Sequence, residues 1–238
     1  VLRFGEAGKA PLVFLHGSAS NSAVWLGAVN EFLDRFSVYC VDIPGEPGLS
    51  DPIRCRLDSD EPRRWLRSLL DALGIAECSF VTMSLGSWYA LNLAIHAPER
   101  VRAVSMLTAP GIVPAKKSFL FYAVFCALLG KTGQRLLNRA IYYKAEVPQS
   151  LLEYQALVAK HFNPLMEAIP IFGDDELRSM RARIQFFGGD HDALIDSVRT
   201  GFRIQSLIPH AEVRILNNTG HAIIDQFSAI LDFLAFAG

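Results

Sequence analysis

Short apolar runs alternate with segments of helical period through the first 111 residues of this 238-residue chain, and that rhythm restricts the fold more than any other feature. The runs at 12–15, 38–41, 78–83 and 101–107 are predominantly apolar, as expected of strands covered on both faces. Between the first two, Val24, Trp25, Ala28, Val29, Phe32, Leu33 and Phe36 recur at helical spacing, with Ser20 or Asn21 available as cap. Trp65, Leu66, Leu69, Leu70 and Leu73 form a second helical face, stopped at Gly74. A third helix opens after Met83 and runs through Tyr89, Leu91, Leu93 and Ala94 to His96, before Pro98. Strict alternation of strand and helix requires crossover connections. It therefore predicts an α/β fold with a mainly parallel central sheet, helices on both faces, and a ligand site at the carboxyl ends of the strands.

From residue 112 to 180 the rhythm breaks. Helices are predicted at 119–129, 134–143 and 150–161, separated by Gly130, Pro148 and Pro164, with no strand among them. Alternation resumes with a strand at 183–187, a helix at 196–207, a strand at 211–216 and a last helix after Gly220. The expected organisation is a core of residues 1–111 and 181–238 carrying a helical insertion, a cap, at 112–180. With 51% hydrophobic residues, such a chain can fill the core of one large domain.

Charge and cysteine usage narrow the function classes. Lys+Arg 23 against Asp+Glu 24 gives a net charge of −1, and no block of like charge is long enough to serve as a nucleic-acid or anionic-membrane patch. The most apolar window, 119–129, is about half the length needed to cross a bilayer, so no membrane span is predicted. Cys40, Cys55, Cys78 and Cys126 are scattered without the spacing of a zinc site and read as isolated, mostly buried thiols, so no metal is expected. The chain starts at Val1 rather than Met, which reads as a trimmed terminus, and cytoplasm is the default location.

The chemistry is concentrated at residues 80–88, Phe-Val-Thr-Met-Ser-Leu-Gly-Ser-Trp, where a strand turns sharply into a helix with Ser84 at the corner. A serine there has its hydroxyl thrust out of the sheet, and the Leu85 amide, in the helix's first turn, points the same way. Gly86 suits the turn because a side chain two residues past the corner would strike the neighbouring strand. Taken alone, the pentapeptide fits equally an ordinary turn with a helix-capping serine. Two later loops bear on that choice. The strand at 183–187 runs into residues 188–195, which offer Asp190 and Asp192, and the strand at 211–216 runs into residues 217–221, which offer His221. Serine, then acid, then histidine, each past the carboxyl end of a different parallel strand, can assemble into a nucleophile, an orienting carboxylate and a general base.

With these residues in view the chain resembles the α/β-hydrolase superfamily, and the match covers nearly all of it. Its carriers are His16-Gly17, the loop 42–50 in place of Asp-x-x-Gly-x-x-x-Ser, the elbow at Ser84, Gly189-x-x-Asp192, and Gly220-His221. Three departures are visible: Thr82 stands where the elbow has its first glycine, the loop 42–50 has one extra residue, and the space before Leu12 holds one strand, at 1–4, rather than two. The resemblance implies an α/β-hydrolase fold with a helical cap insertion and a Ser84, Asp192 and His221 triad, in which the Gly-x-x-Asp spacing favours Asp192 over Asp190. It also implies an oxyanion hole of the Ser18 and Leu85 amides, a structural role for His16 and a loop-bracing role for Asp42. The expected activity is hydrolysis of a small apolar carboxylic ester through an acyl-serine, without metal or organic cofactor. A serine nucleophile excludes the aspartate branches, the haloalkane dehalogenases and epoxide hydrolases. Thioesterase, lactonase, amidase or aminopeptidase and carbon–carbon hydrolase chemistry stay open on the same triad, as does a non-catalytic ligand-binding member. Phe119, Tyr122 and Phe125 of the insertion read either as core packing or as the lining of an acyl or aryl pocket. His96, His161, His191 and His210 read as helix-end or surface residues.

Overall fold

The computed structural model describes residues 1–165 and 167–235; Met166 in the insertion and the last three positions of the predicted second core segment lie outside the described residues. Among the described residues seven strands form one sheet, in the order β1-β3-β2-β4-β5-β6-β7. They are β1 (Leu2–Phe4), β2 (Ala10–Leu15), β3 (Phe36–Val41), β4 (Cys78–Met83), β5 (Val101–Leu107), β6 (Arg183–Gly189) and β7 (Glu212–Leu216). Only β1 is antiparallel, along β3, and it is the single strand expected at that edge. The parallel register pairs Leu15 with Thr82, Met83 with Leu107, Leu107 with Phe187 and Gly189 with Leu216, so the carboxyl ends of five adjacent strands reach one edge together.

The alternation of side chains along each strand divides the core in two. Val13, Leu15, Phe80, Val104, Met106, Ile184 and Phe186 pack on one face against α1 (Glu61–Ala72), α2 (Leu85–His96) and α7 (Ser197–Leu207), through Leu66, Leu70, Trp88, Leu91 and Ile204. Leu12, Phe14, Val38, Cys40, Val81, Leu107 and Phe187 pack on the other against Trp25, Val29 and Phe32 and against Ile230 and Phe233 of α8 (Phe227–Ala235). Residues 85–94 of α2 are all buried, because this helix is covered by the sheet on one side and by α1 and the end of the insertion on the other.

One expected element differs in kind. Residues 21–36 do not form an α-helix but two short 3₁₀ turns, Ser22–Trp25 and Val29–Glu31, and Phe36 already belongs to β3. The local amides bond three residues back, Leu26 to Ala23, Ala28 to Trp25, Glu31 to Ala28 and Phe32 to Val29. Apolar residues three apart lie on one side of either helix type, so Trp25 with Ala28, and Val29 with Phe32, satisfy the pattern without fixing the pitch. Asn21 is the cap, accepting the Ala23 amide.

Between β5 and β6 lie α3 (Lys117–Leu128), α4 (Gly130–Tyr142), α5 (Gln149–His161) and an unforeseen short α6 (Asp174–Arg178). Gly130 begins α4 instead of standing between helices. The segment is fastened to the sheet domain at both ends: the Phe172 amide donates to the Gly111 carbonyl at 2.9 Å, the Trp88 indole to the Pro170 carbonyl at 2.9 Å, and Arg203 to the carbonyls of Ile112 and Phe172. Among the described residues no helix is long and apolar enough to cross a membrane. Where α3 meets α4, Gly133 lies so close to the Cys126 carbonyl that an added Cβ would overlap it. Gly133→Ala is therefore expected to prise the two helices apart at a cost of about 1–3 kcal/mol. Tryptic cleavage at Lys131 and Arg135 should quicken while the sheet domain stays protected, and a wild-type cleavage rate would contradict this packing.

Candidate active site

Ser84 joins β4 to α2 with φ 47° and ψ −114°, a conformation that side chains other than hydrogen rarely adopt and that costs about 1–3 kcal/mol. Its surroundings hold it there. The Ser84 amide donates to the Leu107 carbonyl at 3.2 Å, and the Gly86 amide donates to the His16 carbonyl at 3.1 Å. A Cβ on Gly86 would stand 2.5 Å from the Leu15 carbonyl oxygen and 2.7 Å from that of His16, so only glycine lets α2 begin this close to the end of β2. Thr82, the departure from the elbow pattern, is fully buried and satisfied. The Ser87 hydroxyl donates to the Thr108 carbonyl at 2.7 Å, which leaves the Ser87 oxygen to accept from Thr82 at 2.9 Å. The extra bulk of Thr82 therefore contributes a bond under the corner.

The other two predicted side chains reach Ser84. His221 Nε2 lies 3.1 Å from Ser84 Oγ, and His221 Nδ1 lies 2.9 Å from Asp192 Oδ2. Asp192 is 2% exposed and His221 7%. Burial works against the Asp192 charge, but His221 and the amides of Ile195 and Leu194 outweigh it and hold the carboxyl below its ordinary range. Those amides bond Oδ1 at 3.0 and 2.8 Å, and the Ser197 hydroxyl adds a bond to Oδ2 at 2.9 Å. An ionised Asp192 fixes the imidazole proton on Nδ1 and turns the Nε2 lone pair toward the Ser84 hydroxyl.

Asp190 is not brought to Ser84. Its carboxylate accepts from the Thr219 amide at 3.1 Å and sits 2.8 Å from His191 Nδ1, and chiefly the His191 bond lowers its pKa to about 2. His191 in turn stacks on Tyr143 at a centroid distance of 4.1 Å. Neighbouring backbone completes the histidine loop, because the Ile141 carbonyl at the end of α4 accepts the amides of His221 at 2.7 Å and Ala222 at 3.1 Å.

The Ser18 amide lies in the loop after β2 and the Leu85 amide opens α2, the two segments that the Gly86–His16 bond ties together, and among the described residues neither amide meets an acceptor. The buried His16 accepts the Ile43 amide on Nε2 at 3.0 Å and donates from Nδ1 to the Gly17 carbonyl at 2.8 Å, so it braces the loop. Burial lowers its pKa, against the Gly17 carbonyl and Asp42, and keeps it neutral. Asp42 accepts the Ser22 amide at 2.7 Å and the Leu49 amide at 3.0 Å. Phe119 and Tyr122 are half-buried, with the Tyr122 hydroxyl donating to the Leu136 carbonyl of α4, whereas Phe125 is 54% exposed beside Phe121 and Leu128. Sequence reasoning missed Ser197, Glu46 and the Ile141 carbonyl. Glu46 lies in the loop 42–50, whose length departs from the family pattern without pointing to a particular residue. Among the described residues no group of three or more His, Cys, Asp or Glu side chains is placed to hold a metal ion.

The chain is similar to known proteins over most of its length. The sequence pattern of the "Alpha/beta hydrolase family" matches residues 12–231. The "Uncharacterized carboxylesterase nap" of Bacillus subtilis (strain 168) is 28% identical over 232 residues, 94% of this chain and 77% of that protein. "Carboxylesterase YbfK" of the same organism is 25% identical over 232 residues, 94% of this chain and 78% of that one. The crystal structure of naproxen esterase (carboxylesterase NP) from Bacillus subtilis superposes with a TM-score of 0.83 at 26% identity, over 98% of this chain and 85% of that chain. With its parallel sheet, its elbow serine and this match over most of its length, the chain belongs to the alpha/beta hydrolase family.

Proposed function

We propose that the chain is a serine carboxylesterase acting on small apolar esters, with Ser84 as nucleophile, His221 as general base and Asp192 as the carboxylate that orients it. The observation that carries this reading is the continuous bonded path from Ser84 Oγ through His221 to Asp192, 3.1 and 2.9 Å, between residues 84, 192 and 221 that lie far apart in the chain. The similarity to proteins named carboxylesterases favours esters over the other acyl groups.

In the proposed reaction Ser84 Oγ attacks the ester carbonyl carbon as its proton passes to His221 Nε2. The imidazolium is stabilised by Asp192, and the carbonyl electron pair moves onto oxygen. The Ser18 and Leu85 amides receive that oxyanion; losing one such donor costs roughly 2.7–4 kcal/mol of barrier. Collapse expels the alkoxide, which takes the proton from Nε2 and leaves as alcohol. Water, deprotonated by the same nitrogen, then releases the acid and restores Ser84. Residues 112–180 act as the cap in this reading, and Phe119, Tyr122 and Phe125 offer apolar surface to the acyl or alcohol group. Their incomplete burial supports that role, because it leaves apolar area for a substrate to cover.

Hydrolysis of p-nitrophenyl butyrate tests the proposal. Ser84→Ala should lower kcat/KM by about 10⁴- to 10⁶-fold and abolish covalent labelling by a fluorophosphonate; equal rates would remove Ser84 from the mechanism. A panel of esters, thioesters and amides run alongside would define the acyl chemistry.

Changing each acid in turn tests the choice between them. Asp192→Asn should cost about 10⁴-fold in kcat through loss of the correct tautomer, and Asp190→Asn less than about tenfold, since an amide oxygen still accepts from Thr219. The reverse order would reassign the acid.

Linkage adds a stability test. The Asp192 pKa is lowered by folding, so its contribution is present above the unfolded value near pH 4 and disappears as pH falls through the folded value. Urea midpoints between pH 5 and 2.5 should fall more steeply for wild type than for Asp192→Asn, whereas parallel slopes would show that Asp192 is not stabilised as an anion.

A further inference from the structure

The loop 42–50 carries a carboxylate, Glu46, that belongs neither to the triad nor to a helix. Glu46 is 6% exposed, yet it sits on a turn at the edge of the candidate site. Its Oε2 accepts the Ala19 amide at 2.6 Å, and the Ser18 hydroxyl lies 3.4 Å from the same oxygen. Ala19 has φ 55°, in the left-handed region that few non-glycine residues occupy. The turn is tied to the same loop a second time, through the Asn21 side-chain amide donating to the Pro47 carbonyl at 2.8 Å. On the far side the Glu46 carboxylate faces Arg54, but Nε stands 3.9 Å from Oε1, too long for a hydrogen bond. The strongest contact that Glu46 makes is therefore with the peptide immediately after Ser18.

That peptide is where a positioning group would act. An oxyanion hole works when its donors are already aimed, and the Ser18 N–H, one peptide before the amide that Glu46 holds, would turn with the loop if residue 19 relaxed out of the left-handed region. Glu46 also occupies the Ala19 N–H, so that amide cannot compete for the substrate oxygen in place of Ser18.

We propose that Glu46 is a positioning residue for the oxyanion hole: by accepting the Ala19 amide it locks the left-handed turn after Ser18 and keeps the Ser18 N–H directed at the oxygen of the tetrahedral intermediate. This rests on the acyl-serine reading above and adds to it a residue that never touches the substrate. The competing role for a buried Glu46 is plain stapling of two loops through its charge opposite Arg54.

Glu46→Gln, Glu46→Asp and Glu46→Ala separate the two roles. Glutamine keeps an oxygen at the right reach for the Ala19 amide but loses the charge, whereas aspartate keeps the charge and withdraws by one methylene. Positioning predicts that Glu46→Gln retains kcat within about threefold, while Glu46→Asp and Glu46→Ala lose roughly ten- to a hundredfold with KM changed less than about threefold. Affinity for a trifluoromethyl ketone should fall by the same factor as kcat. Ser84 adds to that ketone's carbonyl carbon, its proton goes to His221, and the resulting hemiketal oxyanion needs the same donors. Affinity for the alcohol product should not change. Stapling predicts the opposite order, aspartate better than glutamine, and that result would overturn the proposal, as would ketone binding that ignores all three changes. If Glu46→Ala does not fold, the glutamine and aspartate pair decides alone. Fluorophosphonate labelling of the wild type separates the two levels of the argument: an unlabelled Ser84 sinks the acyl-serine reading and this proposal with it, whereas a labelled wild type with the wrong variant order sinks the positioning role only.

Discussion

The close approach of α2 to the end of β2 governs the geometry of everything at the carboxyl edge. At Gly86 the helix starts with its backbone against the carbonyls of Leu15 and His16, and the Gly86 amide is bonded to one of them. That contact forces the chain through an unfavourable conformation at Ser84, and it sets the loop bearing Ser18 beside the first turn of α2. It is available only because β2 and β4 are neighbours in a parallel sheet, an order reached by a crossover rather than a hairpin. Since β5, β6 and β7 continue the sheet in register, the loops after β6 and β7 arrive at the same edge with Asp192 and His221. The strain at one residue is thus sustained by packing that involves most of the core.

Three buried carboxylates hold the loops above that edge, and the number of donors each one finds explains how differently they ionise. Asp42 receives two backbone amides and Asp192 receives two amides, a hydroxyl and an imidazole; in both, burial is outweighed and the pKa falls below its ordinary value. Glu46 has one close amide, a hydroxyl at 3.4 Å and a guanidinium nitrogen at 3.9 Å, so burial prevails and its pKa rises. The same chemical group thus serves as a firmly charged brace in two places and as a more weakly stabilised one in the third. The difference follows from how many N–H groups the local turn can present, not from depth alone.

The elements that could be read directly from residues are those where apolar runs end at unambiguous breakers. The strands Cys78–Met83 and Val101–Leu107 and the helix Leu85–His96 lie where the sequence puts them, because a buried run, a tight corner and Pro98 leave no competing register. The segment 21–36 was legible in burial but not in pitch, since residues three apart share a side in both helix types. At the site, Ser84, Asp192 and His221 were legible because their side chains are chemically distinctive and each follows a strand. The groups that support them were not. Ser197 is an ordinary helix-start serine until its partner is known, the Ile141 carbonyl has no side-chain signature, and Thr82 reads as a defect until Ser87 is seen beneath it.

The Ile141 contact also constrains how the helical insertion can move. Two successive amides of the histidine loop end on one carbonyl at the close of α4, and next to it Tyr143 bridges to Thr219 and stacks on His191. Displacing this end of α4 would leave the His221 and Ala222 amides without their acceptor and release the loop that sets the imidazole 3.1 Å from Ser84. The end of α4 therefore belongs to the support of the histidine loop, in contrast to α3 and α5. There the surface is less enclosed, with Phe121, Leu128 and Leu157 each at least 60% exposed. The contact that holds the histidine loop and the most exposed apolar side chains thus lie on different helices of one insertion, of which α3 and α4 are joined where Gly133 lets them touch backbone to backbone.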